Sequence, residues 1–391
     1  MPRFVKRFFK SLLLNIVLPA AYKWHSRRPV EPKKCVFADA RSSEMPESMR
    51  LMHEKCIAEG LCVRRFLLDF GACGPFTLMA HILRFMKEYA TAGLVFVCDF
   101  YLPLYGCAKR PETVVVQLWH GCGALKKFGH STPDDMPAYL SKKGHTNYSL
   151  APVSAPAAVP HFCEAFRAGT DVVKPLGVSR TDVLFDKPSL EKRRADFLRR
   201  HPEAKGKKVL LYAPSFRGDA SDPAPFPLPD FARMTDALGG EYALLVKLHP
   251  LMHKKRALAG RPLGGFIDCG GEDSLTLLYA ADILVTDYSS ILFEHALLGK
   301  AVYIYAPDYD KYAGVRGFYI DYTRCLPCPV CKTTDELIDA VKGVGGYDYQ
   351  KLSAFASAYM SSCDGRATER IFENAVRLSE AALKRPSKTG P

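Results

Sequence analysis

From residue 34 onward, short runs of consecutive apolar residues alternate with longer stretches in which apolar positions recur every three or four residues. The short runs predict buried strands over 34–38, 62–69, 94–98, 113–118 and 149–152, and the longer ones helices over 46–59, 75–89 and 157–168. After a polar interval the alternation resumes. Strands are predicted over 208–212, 242–248, 282–286 and 301–305, and helices over 231–238, 274–280 and 290–299. A long closing helix is predicted over 365–384. Strand–helix–strand repetition of this kind builds parallel sheets flanked by helices, hence an α/β fold. The interval 183–207 is rich in Lys, Arg and Glu, carries Pro188 and Pro202, and reads as an exposed helix plus linker. It divides the chain into an N-terminal domain over 34–182 and a C-terminal domain over 208–391, each a parallel sheet flanked by helices. Two such domains facing across a cleft would bind ligand between the C-terminal ends of their strands.

Composition narrows the class. With 48% hydrophobic and 24% charged residues the chain has enough apolar surface for a core and is not a disordered polymer. No apolar run reaches the ~20 residues that a spanning helix requires. The 13 cysteines are odd in number and scattered through apolar segments, which reads as buried thiols in a reducing compartment rather than a disulfide framework.

Charge is concentrated at one end. Of the net +13, residues 1–34 supply nine Lys/Arg against one Glu, or +8, leaving +5 for the rest. That placement opposes a nucleic-acid coat and points to an anionic surface met by the first 33 residues. On a helix drawn from residue 3, Arg3, Lys6, Arg7 and Lys10 share one side, with Phe4, Phe8, Phe9 and Leu12 on the other. Such an arm can lie in the headgroup layer of an anionic membrane. A signal sequence has a similar start, but no small-x-small cleavage site follows.

Four motifs sit where predicted strands end. Gln117–Gly129 delivers His120 to a glycine turn followed by Lys126 and Lys127; the glycines suit close backbone approach to a ligand and the lysines suit phosphate. In 212–219, Arg217 can clamp phosphate bidentately or form a surface pair with Asp219. In 246–250, Pro250 fixes the turn that presents His249. In 285–294, Ser289 is placed at a helix N-cap with Ser290 beside it, a position suited to anions, and Glu294 lies one turn on. Asp287 shapes the turn or orients a histidine.

Taken in order, the series WHG, LKK, YAPSFR, KLHP, ADILVTDYSSILFE, RGFY (Arg316–Tyr319) and DGRATER (Asp364–Arg370) resembles the CDP-glycerol glycerophosphotransferase family of teichoic acid synthesis. The resemblance runs from about Val114 to Arg370. It implies a GT-B-like fold of two Rossmann-type domains. It also implies transfer of a polyol phosphate from CDP-glycerol or another CDP-polyol to a hydroxyl of a lipid-linked acceptor, releasing CMP, at the cytoplasmic face of the membrane. Two positions depart from the family: Cys122-Gly123 replaces a Thr-Pro pair, and Glu294 stands where Asp is frequent.

For a transfer of this type, positioning and charge stabilisation dominate. His120 is assigned as general base and His249 as a second catalytic residue. Arg217, Asp287, Ser289, Ser290, Glu294 and Arg316 are placed at the donor, and Lys126 and Lys127 at the acceptor. No cofactor is called for; a divalent cation could assist at the pyrophosphate, but no carboxylate cluster demands it. The spacing Cys325-x-x-Cys328-x-x-Cys331 suits a metal in isolation, yet a fourth cysteine does not follow at ferredoxin spacing. Two rivals stand: a nucleotide-sugar glycosyltransferase on the same fold, and a non-catalytic basic membrane adaptor.

Overall fold

In a computed structural model of the chain, the described residues are 11–132, 135, 142–219, 222–224, 227–248, 252 and 263–384. They fall into two units. The first comprises the chain up to His120, Phe128–Asp182 and the chain from Ser362 onward; the second comprises Gly121–Lys127 and Val183–Ser361.

The first unit carries β1 (Glu31–Asp39), β2 (Cys62–Leu67), β3 (Ala92–Val97) and β4 (Val114–Gln117), all parallel in the order β2-β1-β3-β4. Leu150 adds a parallel bridge to Val116, just before β5 (Ala151–Pro152), which pairs with β6 (Val173–Lys174). Chain order reverses beside β1, which makes the ends of β1 and β3 the switch point of a doubly wound sheet. Phe37, Leu94, Phe96 and Val116 pack there against Met49, Met52 and Cys56 of the helix Glu47–Ala58 and Ile371 and Ala375 of the helix Ala367–Lys384.

That closing helix therefore belongs to the first unit and not, as the sequence suggested, to a C-terminal domain running to residue 391. Its N-terminal N–H groups at Ala367 and Thr368 are taken by the Asp182 carboxylate at 3.0 and 2.7 Å. Arg370 grips both oxygens of Asp364 at 2.8 Å and donates through Nε to the Leu176 carbonyl. The DGRATER motif is thus a latch within this unit.

The second unit carries β7 (Lys208–Ala213), a short hairpin of β8 (Arg217–Asp219) and β9 (Asp222–Ala224), then β10 (Tyr242–Val246), β11 (Ile267–Asp268), β12 (Ile283–Thr286), β13 (Ala301–Tyr305) and β14 (Val330–Cys331). Its six-stranded sheet runs β11-β10-β7-β12-β13-β14, every pair parallel. Counted along the chain this is third, second, first, fourth, fifth, sixth, the dinucleotide-type order whose switch point lies between β7 and β12. Leu210, Leu244, Val246 and Val285 form the core with Phe231, Met234, Leu337 and Val341. Its helices start at side-chain caps: Asp230 for Phe231–Leu238, Asp273 for Ser274–Ala280, and a Thr333–Glu336 capping box for Thr334–Lys342.

Two expectations need correction. The interval 183–207 holds the expected, mostly exposed helix, Lys187–Arg200, but it does not link two domains: it is capped by Asp186, buries Leu190 and Phe197 and belongs to the second unit. Nor is 11–33 a detached arm. Leu13–Val17 and Leu18–His25 form consecutive helical segments, with Leu14, Leu18 and Tyr22 buried in the first unit. Gly106 lets Leu18 in, since a Cβ there would lie 2.7 Å from the leucine side chain. Arg3, Phe4, Lys6, Arg7, Phe8, Phe9 and Lys10 lie outside the described residues.

Candidate active site

In the first unit, chemistry gathers at the C-terminal ends of β1, β3 and β4. Asp39 closes β1, and its Oδ2 accepts from the Arg41 and Ser42 N–H groups at 2.8 and 2.9 Å. This turn aims Arg41 at Asp99, just past β3, with Nε to Oδ2 at 2.5 Å and Nη2 to Oδ1 at 3.3 Å. His120, just past β4, points Nδ1 at the Cys98 carbonyl at 3.2 Å and lies 3.8 Å from Asp99 Oδ2. A carbonyl oxygen only accepts, so Nδ1 carries the proton and the Nε2 lone pair is left as the base. Desolvation by surrounding protein pushes the imidazole below its ordinary pKa; Asp99 opposes this and Arg41 adds to it. The side chain keeps 47% of its surface open to solvent, which moderates the desolvation without reversing its direction.

The residue before it is strained. Trp119 sits at φ 58°, a left-handed conformation that costs a non-glycine residue ~1–2 kcal/mol. Its ring is held by stacking on Phe128 at 4.9 Å between centroids and by the edges of Phe162 and Phe166, and it lies 4.5 Å from the His120 ring.

The second unit brings the other motifs together. Arg217 follows β7 and Asp287 follows β12, on either side of the switch point. The guanidinium is buried: Nη1 donates to Asp287 Oδ2 at 2.8 Å, Nε and Nη2 to Asp308 at 2.7 and 3.1 Å. Its carbon lies 4.5 and 5.1 Å from the Tyr288 and Tyr312 ring centroids, the two rings being stacked 3.9 Å apart. Neither sequence reading of Arg217 describes this. It is not an open phosphate clamp at the surface but the centre of a buried ion triad. Asp287 also accepts the Ser215 N–H at 2.8 Å, so it ties the turn after β7 to the turn after β12.

The cap at the following helix, Ile291–Leu297, is Ser290 rather than Ser289, and Ser290 makes no side-chain cap bond; Ser289 Oγ accepts from Ile291 N at 3.4 Å. Both serines are half-exposed, whereas Glu294 is fully buried, which removes it from a solvent-facing donor contact. The glycines after His120 also serve protein neighbours rather than a ligand. A Cβ on Gly121 would meet Ser290 Oγ at 2.8 Å, and one on Gly123, at φ +61°, would meet the Phe293 ring at 2.4 Å. Gly123→Ala is therefore expected to cost ~2 kcal/mol or more, from the left-handed backbone plus the clash. Gly314→Ala, in a helix with open space at the Cβ position, should instead stabilise by ~0.5–1 kcal/mol. Thermal melts of the two variants shifting in the same direction would refute this pair of expectations.

Lys126 and Lys127 lie alongside the RGFY motif. Lys126 bridges Phe318, Lys127 N donates to the Gly317 carbonyl at 3.1 Å, and Arg316 Nε donates to the Lys127 carbonyl at 3.0 Å. His249 and Pro250 lie outside the described residues. Lys247, before them, donates to the carbonyls of Gly270 and Glu272. Burial pushes the Cys328 and Cys331 thiols up to about 12 and about 11. Among the described residues no group of three His, Cys, Asp or Glu is placed to hold a metal.

Sequence reasoning missed Arg41, Asp99 and Asp308. All three follow predicted strands, the positions that singled out His120 and Arg217, but no histidine or glycine turn marks them.

The model of the family described as CDP-glycerol:poly(glycerophosphate) glycerophosphotransferase matches residues 20–377. The chain belongs to this family. It is 35% identical over 380 residues to the teichoic acid ribitol-phosphate primase of Bacillus spizizenii, covering 93% of this chain and 96% of that protein. It is 31% identical over 381 residues to the teichoic acid poly(ribitol-phosphate) polymerase of the same species, covering 96% of this chain but 60% of the polymerase. Against the teichoic acid glycerol-phosphate primase of Bacillus subtilis the identity is 26% over 299 residues, 74% of this chain and 75% of that protein. The structure of the wall teichoic acid polymerase TagF shares the fold, with a TM-score of 0.76 at 22% identity over 97% of this chain and 99% of that one.

Proposed function

We propose that this chain transfers a polyol phosphate from a CDP-polyol to a hydroxyl of a lipid-linked acceptor, releasing CMP, with ribitol phosphate as the unit and priming as the task. The observation that carries the reading is 35% identity to a ribitol-phosphate primase over 93% of this chain and 96% of that protein. A GT-B-like pairing of the two units accords with the family. The acceptor hydroxyl attacks the β-phosphorus, the bond from that phosphorus to the bridging oxygen breaks, and CMP leaves with the electron pair. His120 Nε2 takes the hydroxyl proton. Ser289, Ser290 and Arg316 are assigned to the donor and Lys126 and Lys127 to the acceptor. Arg217 holds Asp287, which ties the turn that carries Ser289 and Ser290 to the turn after β7. Incubation with labelled CDP-ribitol, CDP-glycerol and UDP-sugars should give transfer from CDP-ribitol with CMP release. Transfer from a UDP-sugar alone would make the chain a glycosyltransferase, and preference for CDP-glycerol would overturn the choice of polyol.

The reading includes attachment at the cytoplasmic membrane face. Among the described residues no helix is long and apolar enough to cross a membrane. The helix Pro75–Tyr89 exposes Phe76 at 91%, with Met79 and Leu83 on the same face and Arg84 and Lys87 beside them. The helix packed against it, Leu18–His25, exposes Lys23 and Trp24, and Arg27 in the turn that follows lies over the Trp24 ring. Apolar side chains ringed by cations suit an anionic leaflet, at ~1 kcal/mol per cation. Phe76→Asp with Met79→Asp should abolish sedimentation with phosphatidylglycerol vesicles while sparing transfer to a short soluble acceptor. Unchanged sedimentation would remove this face from the anchor. Truncation must stop short of residue 11, because Leu14, Leu18 and Tyr22 are core.

A further inference from the structure

Gln117, the last residue of β4, has no exposed surface. Its Oε1 accepts from the Trp119 N–H at 3.0 Å, and its Nε2 donates to the Asp99 carbonyl at 3.1 Å and to the Tyr148 hydroxyl at 2.7 Å. The orientation of this amide is dictated by its partners: a backbone N–H can only donate and a carbonyl can only accept. Both Nε2 hydrogens are therefore used. The Tyr148 hydroxyl, accepting from Gln117, can send its own proton to His145 Nδ1 at 2.9 Å, and burial keeps that imidazole neutral by pushing it down to about 3. The Tyr105 hydroxyl at 2.5 Å then donates to Tyr148, and the network is directionally complete.

Its position gives the network a role beyond packing. The Leu118 N–H donates to the Val97 carbonyl at 2.7 Å, so β3 and β4 stay zipped up to Gln117. Past that point the Gln117 amide spans from the Asp99 carbonyl to the amide of Trp119, the strained residue before His120. The His120 ring hydrogen-bonds Cys98, one residue before Asp99. One buried amide thus holds both the residue before the base and the residue after its hydrogen-bond acceptor.

We propose that Gln117 is a positioning residue that fixes His120 with Nδ1–H on the Cys98 carbonyl and Nε2 as the basic nitrogen. The inference rests on the reading of His120 as the base. The charged groups around His120 are Asp99 and Arg41, with Arg180 donating to its carbonyl at 3.1 Å; Gln117 adds no charge and acts through geometry alone. Displacements of ~1 Å in a reacting group can cost ~10²-fold.

The experiment compares Gln117→Met, which keeps the length and removes every hydrogen bond, with Gln117→Glu, which keeps an acceptor for Trp119 and turns the donor facing Asp99 into an acceptor. Both should lower kcat for CDP-polyol transfer by ~10–100-fold with the donor KM within about twofold, as for loss of alignment and not of binding. Nitrogen NMR of the His120 ring should show the Nδ1–H tautomer in the wild type and a mixture in the variants. Wild-type kcat in either folded variant overturns the proposal. So does reduced kcat with an unchanged His120 tautomer, which would leave Gln117 a purely structural residue. His120→Ala is run alongside: if that variant turns over normally, it is the base assignment that fails. If Gln117→Met melts below the assay temperature, Gln117→Glu decides the matter.

Discussion

His120→Ala is expected to lower turnover by at least ~10²-fold while binding of the CDP-polyol survives. The ring has one nitrogen committed to Cys98 and the other available, and nearly half of the side chain is open to solvent. The pH profile carries a second signature. With the imidazole held below its ordinary value, the base form prevails at neutral pH. Turnover should fall on the acid side through a midpoint below the usual imidazole value of ~6.5. Asp99→Asn removes the influence that raises the pKa and should move the midpoint lower still. Single-turnover rates across pH would check both points, and an acid limb that persists unchanged in His120→Ala would assign it to another group.

Arg217→Met is expected to be the most damaging substitution for stability, at ~3–5 kcal/mol, because it strands two carboxylates at the switch point of the second unit. Asp287 is buried and Asp308 largely so, and both rely on this guanidinium. Burial pushes the Asp308 carboxyl up, but its bonds to Arg217 outweigh that and hold it below the ordinary carboxylate value. A depressed folded-state pKa stabilises the fold above the unfolded value of ~3.9 and is lost as pH falls through the folded value. The gap between wild type and Arg217→Met in urea midpoint should therefore be full at pH 7 and shrink as the medium is made strongly acidic. A gap that did not change with pH would mean that the triad contributes through packing of Arg217 against the stacked rings of Tyr288 and Tyr312. Turnover in the same variant bears on the donor assignment: loss of activity in protein that is still folded follows from freeing the turn that carries Ser289 and Ser290.

The alternation of apolar runs was sufficient to locate nearly every central strand, since a strand covered on both faces must be apolar throughout. β13 and the helices Pro75–Tyr89, Phe231–Leu238 and Ser274–Ala280 have the predicted limits. The edge strands β6, β11 and β14 are two residues each, too short to leave a period. The helices Tyr309–Arg316 and Tyr349–Met360 went unpredicted because little of their surface is buried: the first has no buried residue, the second has Leu352, Phe355 and Met360.

The candidate site divides in the same way. His120, Asp287 and the two serines were legible because strand ends followed by glycine, serine or histidine are where α/β proteins expose chemistry, and the family resemblance rests on those local strings. What each residue touches was not legible. Arg217 can read locally as a phosphate clamp; only the parallel register of β7 against β12, together with the turn after β13, sets Asp287 and Asp308 around it. Glu294 looks like a site carboxylate until the helix Ile291–Leu297 is docked with that side chain inward. The amphipathic start of the chain suggests a free arm until Leu14, Leu18 and Tyr22 find the first unit's core. Sequence alone determines local periodicity and the residues delivered to strand ends, because these depend on neighbours within a few positions. Partners such as Gln117 with Asp99, Arg217 with Asp308 and Asp182 with Thr368 are separated by 18, 91 and 186 residues, so only the folded sheets, which bring distant strand ends together, could assign them.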